Sequence, residues 1–251
     1  MKERIQLNHD AVKMRKHLGM DANTAIDIFT VLGAQPDLTV VFYPMRASIS
    51  GMCIKDDFVR LIAINSRLSR GRQRFTAAHE LCHLYYHPDF RTMICAKDLS
   101  SQQQDYEKEA DQFASFFLAP YDALLGFIDH TLNKLYQSLS ESDIIHIEQY
   151  FGMSRQATLV RLQLEKLLTE DEANRMKNGI IRTAQKLGLP DDLYRPCSEN
   201  QQYLTIGSYV KLANELFAAD KISSGKYEEL LLDAFRDDLV YGSDSVEEYY
   251  D

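Results

Sequence analysis

Residues 75–90 read FTAAHELCHLYYHPDF, and His79, Glu80 and His83 stand among them in an HExxH arrangement. On an α-helix, one turn and about 40° of rotation separate His79 from His83, so both imidazoles can reach one ion. Glu80 lies about 100° from His79 and flanks that face, within reach of a reacting water. Ala77, Ala78, Leu81, Leu84 and Tyr85 occupy the other side and call for a core to pack against. Thr76, His79, Glu80, His83 and His87 then form a single polar stripe. Such a stripe is either a solvated helix face or a metal site, and the rest of the chain has to decide between them.

His87 is the first candidate for a third ligand. It stands about 12 Å from His79 along a continuous helix axis, which two imidazoles span only nearly end to end, against tetrahedral geometry. No glycine lies between His83 and Asp89 to break the helix. His87 is therefore expected beyond the ligand set, supporting a ligand or capping the helix. The segment YEKEADQFASFFLAP (106–120) offers two glutamates instead. On a helical wheel Glu107 shares its face with Ala110, Asp111, Ala114, Phe117 and Leu118, whereas Glu109 falls on the opposite side. A ligand has to project from the face that packs inward, which selects Glu107. It also places Asp111 at i+4, able to accept the free N–H of a ligand histidine. His79, His83 and Glu107 would leave a coordination position for water, the pattern of a catalytic rather than a structural zinc site, with Glu80 as the base.

Around this pair of helices the patterning is mixed. LTVVFY (38–43), SISGMCI (48–54) and FVRLIAIN (58–65) are β-branched runs, and Asp56-Asp57 suits a turn between the last two. Residues 8–33 read as one or two helices, with Asp21 or Asn23 as a cap and Gly33 as a stop, and the polar stretch 88–104 reads as a loop. After Pro120 strand signals almost vanish. DALLGFIDHTLNKLYQSL reads as helix, and residues 141–167 as helix, a turn at Gly152, and helix with Ser154 as N-cap. The expected class is α+β: a small core of about 120 residues followed by an all-helical C-terminal region. The expected units are 1–125, a helix-turn-helix-like segment at 126–170, and an acidic helical region at 171–251.

MSRQATLVRLQLEK (153–166), with Arg155 and Arg161 expected at its surface, invites a second reading as a DNA-recognition helix. Charge argues against it. The chain carries a net charge of -9, and residues 141–170 hold five acids against three bases. Phosphate contacts dominate DNA affinity, so nucleic acid is not the expected partner. No run approaches the ~20 apolar residues of a membrane span, and the first residues lack the apolar core of a secretory signal, so the expected location is cytoplasmic. The cysteines at 53, 82, 95 and 197 show no CxxC pair and are expected as free thiols used for packing.

Taken together, RQRFTAAHELCHLYYH (72–87) and the E-x-E-A-D-x-F-A run that ends in Leu-Ala-Pro (107–120) resemble the ImmA/IrrE family of zinc-dependent endopeptidases. The resemblance spans about residues 20–165. It implies a minimal zincin-like core, with a small antiparallel or mixed sheet packed on the HExxH helix. It also implies one catalytic zinc ion held by His79, His83 and Glu107, with Glu80 catalytic. The partner it implies is a helix-turn-helix repressor of a mobile element, prophage or stress response, cleaved or inactivated by the protease. Two positions depart from the family: Cys82, where glycine is frequent, and Asp111, where asparagine is commoner. The strand at Arg60–Asn65 is a candidate edge on which an extended substrate could pair.

Overall fold

The computed structural model describes residues 2–87, 92–94, 101–135 and 137–242. Three strands appear where the β-branched runs lie: β1 (Leu38–Tyr43), β2 (Gly51–Lys55) and β3 (Arg60–Asn65). β2 and β3 form a hairpin with Lys55 opposite Arg60. Its turn closes as expected at Asp56, whose Oδ1 accepts the backbone N–H groups of Phe58 at 2.7 Å and Val59 at 2.6 Å. β1 runs parallel to β3, from Leu38 opposite Arg60 to Tyr43 opposite Asn65.

Two further strands lie outside those runs. β4 (Thr92–Ile94) falls in the stretch read as a loop and pairs antiparallel with β2. β5 (Leu204–Gly207) pairs antiparallel with β1, so the C-terminal region is helical with one correction: it also supplies a strand of the core sheet. The sheet order among the described residues is β4-β2-β3-β1-β5. β3 is therefore central, with both of its edges paired. The expectation that Arg60–Asn65 offers a free edge to a substrate is overturned, because β1 and β2 take up its ladder groups on both sides.

The helices build the rest of the α+β core. α1 (Arg4–His17) and α2 (Ile28–Gly33) precede the sheet, α3 (Arg70–Tyr86) carries the HExxH run, and α4 (Ser101–Leu118) follows β4. α3 lies between the sheet and α4, and α1 covers the far side of α4. Ala77, Ala78, Leu81 and Leu84 of α3 meet Ala110, Phe113, Ala114 and Phe117 of α4 in one buried core. Asp21 does not cap a helix; it ties the turn before α2 by accepting the backbone N–H of Thr24 at 2.9 Å. Arg15 of α1 is fully buried and donates to the Phe117 carbonyl at 2.8 Å, so a guanidinium closes the C-terminal end of α4.

The close approach of α3 to β2 depends on Gly51. A Cβ there would lie 2.5 Å from Thr76 Cγ2 and 3.2 Å from Glu80 Oε1, so only glycine lets the strand pass over the HExxH helix.

Beyond α5 (Tyr121–Gly126) the chain makes one π-helical turn, Phe127–Thr131, and then leaves the helix, with Asn133 at φ 52°. The predicted helix-turn-helix-like pair is present as α6 (Glu141–Phe151) and α7 (Arg155–Leu164). Ser140 and Asp143 form a capping box, Gly152 turns the chain at φ 64°, and Ser154 caps α7. Short helices α8 (Glu170–Arg175) and α9 (Ile180–Lys186) lead to β5, and α10 (Ser208–Ala218), α11 (Ser224–Asp233) and α12 (Asp237–Tyr241) follow it. No described helix is long and apolar enough to cross a membrane.

Candidate metal centre

The polar stripe of α3 is not a solvated face. Thr76, His79, Glu80, His83 and His87 are all buried, because α4 and the sheet close over them. Burying that many polar groups is costly unless they are paired, and here His79, His83 and His87 pair with one another and His79 with Asp111 of α4.

His79, His83 and Glu107 converge. The Nε2 atoms of the two histidines lie 3.0 Å apart, Glu107 Oε2 is 3.2 Å from His79 Nε2, and Glu107 Oε1 is 3.5 Å from His83 Nε2. Donor atoms of a tetrahedral zinc site with bonds of ~2.1 Å stand about 3.4 Å from each other. The three donors therefore already span one face of such a tetrahedron, and the cluster is compatible with a metal ion. Burial pushes the Glu107 carboxyl up, but hydrogen bonds from His79 and His83, with their charge, outweigh it and hold that carboxyl well below the usual range.

The other ring nitrogens fix the tautomers. Asp111 Oδ1 is 2.9 Å from His79 Nδ1, as the helical wheel predicts, so that once a metal displaces the Nε2 proton the ring presents its lone pair on the Glu107 side. His83 Nδ1 stands 2.8 Å from His87 Nδ1. Burial, followed by the neighbouring His83 ring, pushes His87 down to about 4, so it is neutral at pH 7. Its Nδ1 can then accept the His83 N–H, and its Nε2 faces Glu109 Oε2 at 3.5 Å. His87 thus sits behind the donor set, as expected, and it is also the residue that ends α3. Substituting His87 by alanine is expected to weaken zinc binding about 10- to 100-fold by freeing the His83 ring. A competition titration against a chromophoric chelator measures this, and unchanged affinity would contradict the arrangement.

Glu109 lies on the side of α4 opposite Glu107, as the wheel expects, but that side is not open to solvent. It is buried and also accepts the backbone N–H of Lys2. The wheel correctly separates it from Glu107, but α1 covers that second side of α4, so both faces are internal. Cys82 is buried in the core and its thiol is pushed up to about 12, mainly by burial, so it packs rather than reacts. Cys53 is likewise buried in the core, and Cys95 lies outside the described residues.

A cavity of about 370 Å³ opens over the donors. Thr76, His79 and Glu80 form its floor from α3, Glu107 and Asp111 one side from α4, and Gln156, Val160 and Arg161 the opposite wall from α7. Sequence reasoning missed this use of α7. It also placed Arg155 and Arg161 at the surface, which the structure corrects. Arg155 is buried against Glu148, donating from Nε to Oε1 at 2.5 Å, and Arg161 is buried against Glu165, donating from Nε to Oε1 at 2.6 Å. Neither guanidinium is presented to a phosphate backbone.

A sequence profile of the IrrE N-terminal-like domain, Peptidase_M78, matches residues 35–163, which is more than half of the chain. Comparison with proteins of curated function returns no match. Among solved structures, a Mycobacterium tuberculosis transcriptional regulator aligns at 17% identity and a TM-score of 0.44, covering 63% of this chain and 46% of the other. The chain therefore spans about half the length of that structure.

Proposed function

The chain belongs to the IrrE N-terminal-like (Peptidase_M78) family, and from that premise we propose that it is a zinc-dependent endopeptidase that cleaves or inactivates a helix-turn-helix transcriptional repressor. The observation that carries this reading is the donor set itself. Two imidazoles and one carboxylate lie within 4.8 Å of one another beside a buried glutamate, next to a cavity of about 370 Å³. Nitrogen and oxygen donors in this number suit zinc with a position left for a reactant.

When bound, zinc supplies a Lewis acid that acidifies water and polarises a peptide carbonyl. The chain's own residues do the rest. Glu80 takes the proton of the attacking water on its carboxylate and hands it to the departing amine. Asp111 and His87 hold the two imidazoles in the tautomer that presents Nε2. Residues 1–125 carry this chemistry, 126–170 wall the cleft, and the described part of 171–251 adds β5 and helices α8 to α12. Action on a repressor places the protein in the cytoplasm. The competing reading, DNA binding through residues 141–167, loses Arg155 and Arg161, two of its three basic side chains, to internal pairing.

The test pairs the zinc-loaded protein with candidate helix-turn-helix repressors taken from the neighbouring reading frames. Fragments should appear with zinc, vanish with a chelator and return when zinc is restored. A repressor that stays intact and keeps its operator affinity under all three conditions would rule the proposal out.

A further inference from the structure

The far end of the cleft is built unlike the metal end. On α4, Glu107, Asp111 and Ser115 follow one another at intervals of four, so Ser115 lies about 12 Å along the axis from the ligand glutamate. There Arg161 Nη1 donates to Ser115 Oγ at 3.1 Å. Arg161 lines the cavity yet is only 2% exposed. Its guanidinium lies over the Phe116 ring, 4.1 Å from the centroid. Arg4 joins it, 5.4 Å from the same centroid, and also lines the cavity.

Two guanidinium groups share one carboxylate at this point. Arg4 Nη2 and Arg161 Nε both donate to the same oxygen, Glu165 Oε1, each at 2.6 Å. The buried Nη2 of Arg161 donates to no acceptor among the described residues. A buried, charged donor without an acceptor is expensive, and the fork of a guanidinium matches a carboxylate. Asp111, the neighbouring carboxylate along α4, is taken by His79. The wall is thus locally cationic in a chain whose net charge is -9.

We propose that Arg4 and Arg161 form a carboxylate-recognition subsite of the cleft, selecting substrates with an aspartate or glutamate side chain set back from the scissile bond. An extended peptide advances about 3.3 Å per residue, so 12 Å corresponds to roughly three or four residues. The proposal rests on the endopeptidase reading above and adds the class of sequence that the site accepts.

End-blocked peptide hydroxamates test it on the zinc-loaded full-length protein. One series carries its peptide on the N-terminal side of the metal-binding group and the other on the C-terminal side. A single glutamate is moved from the first to the sixth residue, with glutamine as the control at each place. The expected result is a maximum at the third or fourth residue of one series, with glutamate about tenfold tighter than glutamine. That preference should fall below about twofold in the Arg4→Gln and Arg161→Gln proteins. Should Arg161→Gln fail to fold, Arg4→Gln and the peptide scan still decide. Equal binding of glutamate and glutamine at every place, in both series, overturns the subsite while leaving the peptidase reading intact. So does a peptide whose free C-terminal carboxylate, at the same distance, outbinds the internal glutamate. If no hydroxamate binds at all, the peptidase reading fails and takes the subsite with it.

Discussion

Replacing Glu80 by glutamine is expected to leave zinc binding in place and to slow repressor cleavage by about 10²- to 10⁴-fold, the range of a general base. The exchange preserves the size of a side chain that is fully buried against β2, where Gly51 passes close to Oε1. Glutamine fits the same space but cannot accept the water's proton. It is also expected to fold at least as well as the parent when metal-free. The cleft already gathers the carboxylates of Glu80, Glu107 and Asp111, and removing one charge relieves their repulsion and desolvation. Cleavage rate and zinc stoichiometry, measured on the same preparation, separate the two roles. A glutamine variant that cleaves at the parental rate would remove Glu80 from the chemistry. One that loses both cleavage and zinc would mean that the side chain acts in holding the metal.

The parts of the centre visible in the sequence are those set by helical spacing. His79 and His83 face one way because they are four residues apart, and Glu107 with Asp111 repeats that interval on α4. The β2–β3 hairpin was equally readable, since Asp56 can satisfy its turn without help from elsewhere. The misses have a common origin in contacts distant along the chain. Residues 204–207, LTIG, alternate over too few positions to read as a strand, and they become one because β1 offers an open edge. Arg161 looks like a surface residue until Ser115 and Phe116, on another helix, enclose it. Glu109 faces away from the donors as the wheel requires, yet α1 is there to bury it. Periodicity tells which residues share a face; it does not tell how many faces are covered.

Glu107 and Glu109, two residues apart on α4, are expected to fail in opposite ways when changed to alanine. Glu107→Ala removes a donor whose oxygens lie 3.2 and 3.5 Å from the two Nε2 atoms. Two imidazoles alone hold zinc poorly, so affinity should fall at least about 100-fold and cleavage should cease. At a free zinc concentration 100 times the parental dissociation constant, binding stabilises the parent by about 2.7 kcal/mol. Under that condition the Glu107→Ala protein should show little of the zinc-induced rise in melting temperature. Glu109→Ala leaves all three donors in place but strips the half-buried Lys2 N–H of its acceptor and the buried His87 of its facing carboxylate. An unsatisfied buried donor costs about 1–3 kcal/mol, so the metal-free melting temperature should drop. Zinc should still raise it, with affinity weakened by no more than the ~10–100-fold typical of a lost supporting contact. Melting curves of both proteins with and without zinc give the answer directly. If the zinc response disappears in Glu109→Ala and survives in Glu107→Ala, the carboxylate ligand has been assigned to the wrong side of α4.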